Sequence, residues 1–318
     1  AVGATISAFW ILVANSWQQT PTGFVVNAAA GRAELTSFAQ AVFNPSMVHR
    51  FFHTMLSSII AGSFFMAGFS AILLRRGRSV DVAKRCLGLA VVVGLVASLL
   101  VVAPSGHHHA RQVAETQPEK FATMEGLYQG TAGGAPLVIF AIPTTRPELK
   151  YVIEIPKLLS WLTYGDWDHP IKGLDDFPAD TVPSGVECWL TFVSFHNMVM
   201  LGNFFILIMG VSTFYLWRKR LFETNWLLKL LSWSIPLPLV AIQLGWIVAE
   251  VGRQPWIVYR LLKTRDAASV TVAPGEILFS IIMFGVIYAL LGAVWLFLLK
   301  KKLDHGPDPA QAAGKEAN

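Results

Sequence analysis

Runs of about twenty apolar residues dominate this chain, and few folds can absorb them. A membrane-spanning α-helix needs roughly 20 mostly apolar residues. Inside lipid, only helices and closed barrels satisfy their own backbone groups. Residues 51–74, 86–103, 189–217, 226–249 and 277–299 each meet the helical demand, and a sixth run, 1–17, lies near the lower limit of length. Only 14% of the 318 residues are charged, against about 25% in a soluble domain. The expected fold class is all-α: a polytopic transmembrane helix bundle with about six spanning segments. Residues 1–17 lack a basic leading region and a cleavage-like site, so a signal peptide is not expected. The simplest expectation is a chain that begins inside a helix, with further helices upstream.

Basic residues stay on the cytoplasmic side of a membrane. The segments LLRRGRSVDVAKR, LWRKR and LLKKKLD all fall on one side in an up-down count. That leaves 18–50, 104–187 and 251–275 outside. The expected organisation is helices one to three in 1–103, with an outer loop at 18–50. A long outer segment follows at 104–187, then helices four to six in 188–303. A polar, disordered cytoplasmic tail closes the chain at 304–318. The net charge of +5 reflects this topology. No basic face is interleaved with aromatics, so nucleic acid is not an expected partner. Cys86 and Cys188 start helices on opposite sides and are not expected to pair. Segment 104–187 is too long for an ordinary connection. Its first part reads as helical around Pro118, and its second, rich in Pro, Gly and Asp, as an ordered cap over the outer face.

Ionisable residues inside membrane spans are costly and are functional candidates by default. Few are present here: His53 in HRFFHTMLSS, His196 beside Met198 in FVSFHNMVMLGNFF, and Glu250 at the end of an apolar run. All are expected in the outer half of the membrane. A His and a Met from facing helices can ligate a haem iron axially, and helix bundles hold cofactors in this way. Other readings stay open at this level. A lone His near an interface is often structural, a Met often fills gaps in a core, and Glu250 is equally an ion-pair partner for Arg253.

The segment GWIVAEVGRQPW resembles the signature of cytochrome bd-type quinol oxidase, subunit I. SAFWILVANSW, GRAELTSFAQAVFNPSMVHRFFHT, HARQVAETQPEKFATMEGL and FHNMVMLG match the same family in the same order. The resemblance covers all but the tail, is of the short-outer-loop type, and lacks the family's N-terminal helices. It implies that His53 and Met198 ligate the iron of a low-spin haem b. It implies that Glu250 ligates a high-spin haem b, with Arg253 placed to neutralise haem propionates. Trp246, a family tryptophan near the haem pair, and His196, where many members have arginine, fall beside the cofactors. Lys120 and Glu125 match residues associated with quinol oxidation, a carboxylate being a fit acceptor for a quinol proton. Ser7 falls at the end of a family proton route. The His107–His109 run matches no family ligand and reads as a solvated polar turn.

The function so implied is that of a terminal oxidase subunit. Membrane quinol is oxidised outside, and electrons pass through the two b haems and a haem d or third haem b to reduce oxygen to water. The implied partners are subunit II, with a small accessory subunit as a second one to look for, and the lipid bilayer. The implied location is the cytoplasmic (inner) membrane of a bacterium or archaeon. The alternative is a haem-binding electron-transfer or quinol-sensing membrane protein without oxygen reduction. The histidine that holds the oxygen-site haem belongs to the absent helices, and nothing in 1–17 replaces it.

Overall fold

The apolar runs do form helices, and the helices end where turn chemistry stops them. A computed structural model describes residues 2–144, 148–269 and 271–306. In chain order the elements are α1 (Val2–Gln19), β1 (Phe24–Asn27), β2 (Arg32–Leu35), α2 (Phe38–Val42), α3 (Met47–Arg75) and α4 (Val80–Leu100). A π-helical turn, Val101–Gly106, leads into α5 (His107–Thr116) and α6 (Pro118–Glu125). Next come β3 (Leu137–Pro143), β4 (Leu149–Ile155), α7 (Leu158–Tyr164), α8 (Gly185–Trp217), α9 (Asn225–Trp233) and α10 (Leu237–Val251). β5 (Trp256–Val258), β6 (Leu262–Lys263) and α11 (Pro274–His305) complete the described chain.

Among the described residues, five helical stretches are long and apolar enough to cross a membrane: 47–75, 80–116, 185–217, 225–251 and 274–305. The sixth expected span is α1, an 18-residue helix whose last two turns carry Asn15, Ser16, Gln18 and Gln19. The expected break at residue 103/104 is absent. Pro104 lacks an N–H and would interrupt an α-helix, but the wider π turn absorbs it, and the helix runs on to Thr116. The expected tail from 304 lies outside the described residues beyond 306. The loops hold three antiparallel two-stranded hairpins, β1–β2, β3–β4 and β5–β6, which apolar periodicity did not anticipate. Cys86 and Cys188 are both free thiols.

The chain divides into two compact units. The first comprises residues 1–62, 93–210 and 236–267. Its outer segment packs upon itself through Val113, Phe121, Met124, Leu159 and Ile171, with Val248 of α10 in the same cluster. Within it α6 begins on Pro118 and ends on Gly126, which takes the left-handed conformation at φ +68°. Pro at the start and Gly just past the end are the strongest helix punctuation, and they hold Lys120 and Glu125 on one short rigid helix.

The second unit comprises residues 63–92, 211–235 and 268–318. Phe64, Ala67, Ala71, Leu87, Ala90 and Val91 are fully buried in it, small residues allowing helices to approach closely. Its basic segments meet. Arg76 pairs with Asp304 at 3.1 Å, Arg78 donates to the Asp304 carbonyl at 2.9 Å, and the Lys84 ammonium lies 5.8 Å from the Phe222 ring. α11 buries no residue and shows apolar side chains all round. Such a helix suits lipid or another subunit.

A Cβ on Gly126 would lie 2.8 Å from the Phe192 ring and 3.0 Å from the Leu149 side chain. Gly126→Ala is therefore expected to destabilise the protein by about 1–3 kcal/mol, from left-handed strain and overpacking together. Thermal denaturation of the solubilised protein checks this; an unchanged melting temperature would show that the end of α6 relaxes freely.

Candidate haem and quinol site

A cavity of about 840 Å³ opens within the first unit, and it gathers candidates from four helices. α3 supplies His53, α6 supplies Lys120 and Glu125, α8 supplies His196 and Met198, and α10 supplies Trp246. Its volume falls in the roughly 300–1,000 Å³ range of cofactor and small-molecule sites. The walls are mostly apolar, and the π turn at Val101–Gly106 forms one of them. Local π geometry is frequent at functional sites, and here it places Ser105 Oγ 3.5 Å from His53 Nδ1, the outer limit of a hydrogen bond. The other ring nitrogen of His53 is left for the cavity. Met198 enters from α8 over Gly245, where an added Cβ would stand 3.1 Å from its sulfur. The glycine thus makes the space that the thioether occupies.

Glu250 is held at the end of α10 by two partners. Asn15 donates from Nδ2 to Glu250 Oε1 at 2.8 Å, and Arg253 Nη2 meets Oε2 at 2.5 Å. Arg253 also donates to Gln18 Oε1 at 2.9 Å and to the Ile257 carbonyl at 2.8 Å, while its Nε is buried without a partner. A carboxylate has about four lone-pair positions, so these contacts leave Glu250 room for one more Lewis acid. They also satisfy it as a plain ion pair.

Lys120 is 4% exposed. Its ammonium donates to Gln19 Oε1 at 3.2 Å and to the Ala249 carbonyl at 3.0 Å. Gln19 Nε2 donates to the same carbonyl at 2.9 Å. Lys120 therefore ties α6 to the last turn of α10, next to Glu250. Burial, with Arg50 beside it, pulls its pKa well below the lysine range; Glu250 partly opposes this, and Arg253 adds to the lowering. Glu125 is equally buried, and its Oε2 has no hydrogen-bond partner. Burial alone pushes its carboxyl up to about 8, so near neutrality it is mostly protonated.

His196 lines the cavity, but each of its ring nitrogens lies near a backbone carbonyl. Nδ1 is 3.0 Å from Phe192 O and Nε2 is 3.1 Å from Val138 O, so its ring links α8 to β3. Trp246 is half-buried in the cavity wall. Ser7 is exposed on α1. His107 and His108 are exposed, but on the first turn of helix α5 and not in a turn as expected, whereas His109 is half-buried; His107 and His109 both border the cavity. Among the described residues no group of three or more His, Cys, Asp or Glu is arranged for a bare metal ion. A His and a Met across one apolar cavity suit an iron already carried in a planar ring.

Sequence reasoning missed Asn15, Gln19 and Arg50. Their signal was available: Asn15 and Gln19 are polar residues in the last turns of an apolar helix, and Arg50 is a cation one turn before His53. Glu119 was also missed. It accepts from Tyr259 Oη at 2.7 Å and Arg260 Nη2 at 3.0 Å, fastening the β5–β6 hairpin to α6.

Residues 1–307 match the family model described as cytochrome bd terminal oxidase subunit I. The chain belongs to that family. The cytochrome bd ubiquinol oxidase subunit 1 of Bacillus subtilis is 36% identical over 316 residues, 96% of this chain and 66% of that protein. The cytochrome bd-II ubiquinol oxidase subunit 1 of Escherichia coli is 31% identical over 98% of this chain and 73% of its own length. A chain of the bd oxidase of Geobacillus thermodenitrificans superposes with a TM-score of 0.86 at 29% identity, covering 96% of this chain and 68% of that one. The chain thus spans about two thirds of these relatives. As a bd oxidase subunit I it is a multi-pass membrane protein of respiratory electron transport, of a family that carries haem and uses quinol.

The raised Glu125 pKa sets a pH dependence. Between about pH 4.5 and 8 the folded carboxyl keeps a proton that the unfolded chain releases, so wild-type stability falls as pH rises through that window and levels off above it. Glu125→Gln lacks this loss. Its stability relative to wild type is expected to grow by up to about 1.4 kcal/mol per pH unit across the window. Unfolding of both proteins at several pH values tests this; a constant difference would place Glu125 in contact with water.

Proposed function

We propose that this chain is part of a terminal quinol oxidase that oxidises membrane quinol on the outer side and passes electrons through haems to oxygen. The observation that carries the reading is one cavity lined by His53 and Met198 together with Lys120 and Glu125. When bound, the haems supply one-electron transfer and the site of oxygen reduction.

This chain's own residues do the rest. His53 and Met198, both in the lining of the cavity, would hold the low-spin haem b, a pairing that raises its potential. Glu250, held by Asn15 and Arg253, would take the high-spin haem b. Trp246 fills the wall beside it, and His196 holds the neighbouring hairpin in place through its contact with the Val138 carbonyl. Lys120 offers its remaining donor to a quinol oxygen. Glu125 must be deprotonated when quinol arrives to accept a proton, and a carboxyl with a pKa near neutrality is well matched to that exchange. The buried surroundings of both keep bulk water away from the transfer. A haem d or third haem b would supply the site of oxygen reduction.

The loop at 104–187 lies outside and the C-terminus inside, as the meeting of the basic segments of the second unit supports. The exposed apolar faces of α11 fit lipid and subunit II, with a small accessory subunit as a further partner. The membrane is the bacterial or archaeal cytoplasmic membrane.

The decisive test uses the complete complex. Met198→Leu nearly keeps volume and is expected to abolish the six-coordinate low-spin spectrum, while the Glu250 haem is retained. Glu250→Gln is expected to perturb the high-spin spectrum and cut oxygen consumption by at least tenfold, with the His53–Met198 haem still reduced by quinol. Normal reduced-minus-oxidised spectra in both variants would sink the ligand assignment. Haem spectra that respond as expected, in a complex without any oxygen consumption, would favour an electron-transfer or sensing protein instead.

A further inference from the structure

Arg50 is a buried cation that forms no ion pair among the described residues. It is 5% exposed, in the first turn of α3. Among the described residues its one hydrogen bond runs from Nη1 to the neutral Asn15 Oδ1, at 3.0 Å. Its Nε is buried and has no partner, and no carboxylate stands within ion-pair distance of it. Glu250 attracts it from beyond ion-pair distance, and Asn15 is bonded to both. An arginine side chain does not shed its proton, and an unpaired buried charge is expensive. The surroundings of Arg50 therefore call for an anion, and the open space beside it is the large cavity it lines.

A second donor faces the same space. His109 Nε2 is buried without a partner, and its ring centroid is 5.5 Å from that of His53. Arg50 precedes His53 by just under one helical turn. Two unpartnered nitrogens thus flank His53 in the wall of an otherwise apolar cavity. The ligand that suits such a place is mostly apolar and carries a carboxylate, which can accept from a guanidinium and an imidazole together.

We infer that Arg50 and His109 clamp a propionate carboxylate of the haem held by His53 and Met198, a proposal that rests on the haem reading above. The clamp does not end there. Arg50 keeps Nη1 on Asn15, and Asn15 keeps Nδ2 on Glu250 at 2.8 Å. One guanidinium is therefore joined by hydrogen bonds to both haem sites. Its positive charge favours the reduced state of each, and acts most strongly where it touches the carboxylate. Arg50 and His109 are positioning residues here: they hold the ring's edge and set its electrostatics without ligating iron.

The test is redox-difference infrared spectroscopy of the complete complex assembled with haem carrying ¹³C in its propionate carboxyls. A potentiometric titration of the low-spin haem is run on the same samples. Isotope-sensitive carboxylate bands are expected to shift in Arg50→Lys and in His109→Phe. The midpoint potential is expected to fall in Arg50→Gln and to be largely restored in Arg50→Lys. Where Arg50→Gln does not assemble, the lysine and His109 variants carry the test by themselves. Isotope-sensitive bands identical to wild type in both, with the six-coordinate spectrum intact, overturn the clamp alone. A low-spin spectrum that survives Met198→Leu in a complex otherwise wild type overturns the haem reading and the clamp with it.

Discussion

The last turn of α10 carries a carboxylate and a free carbonyl, and four side chains converge on them from elsewhere in the first unit. Asn15 and Arg253 hold the Glu250 carboxylate, and Gln19 and Lys120 hold the Ala249 carbonyl. The end of a helix leaves carbonyls unsatisfied, and in a poorly hydrated setting each must find a donor. That requirement brings α1, α6 and α10 to one point. It explains why polar residues close an otherwise apolar α1, and why a lysine sits buried in the outer segment.

Buried polar groups are held tightly when satisfied and are demanding when they are not. The contrast divides the site. Lys120, Gln19 and Asn15 each have partners within the protein and act as struts. Arg50 Nε, His109 Nε2 and Glu125 Oε2 have none, and all three residues line the same cavity. These three unsatisfied atoms belong to residues of one cavity, whose walls from α3, α8 and α10 are otherwise mostly apolar. The β5–β6 hairpin, fastened through Tyr259 and Arg260 to Glu119, helps to hold α6 over that space.

Lys120 shows how one residue can carry two tasks. Its contact with the Ala249 carbonyl places it within the support of the Glu250 helix, and it also stands in the wall of the cavity, where the proposed function puts quinol. A change at Lys120 therefore reaches both the outer segment and the haem end of α10. Glu125, one turn further along α6 and without a strut of its own, is the more purely chemical of the pair.

The amino-acid sequence alone determined the helical class, the apolar spans and the placement of His53, Met198 and Glu250 in them, because lipid admits so few ways to satisfy a backbone. It also carried the family match, through GWIVAEVGRQPW and QPEKFATMEG. It did not show that the chain continues as helix through Pro104, since a π turn leaves no apolar period to read. Nor did it show that Asn15 and Arg50 join Glu250 in one chain of hydrogen bonds, or that His109 is half-buried while His107 and His108 are exposed. Those facts depend on which faces of α1, α3, α5 and α10 meet, and a hydrogen bond between residues more than two hundred positions apart has no local signature. Tertiary packing decided them, by setting polar side chains where no water could replace a missing partner.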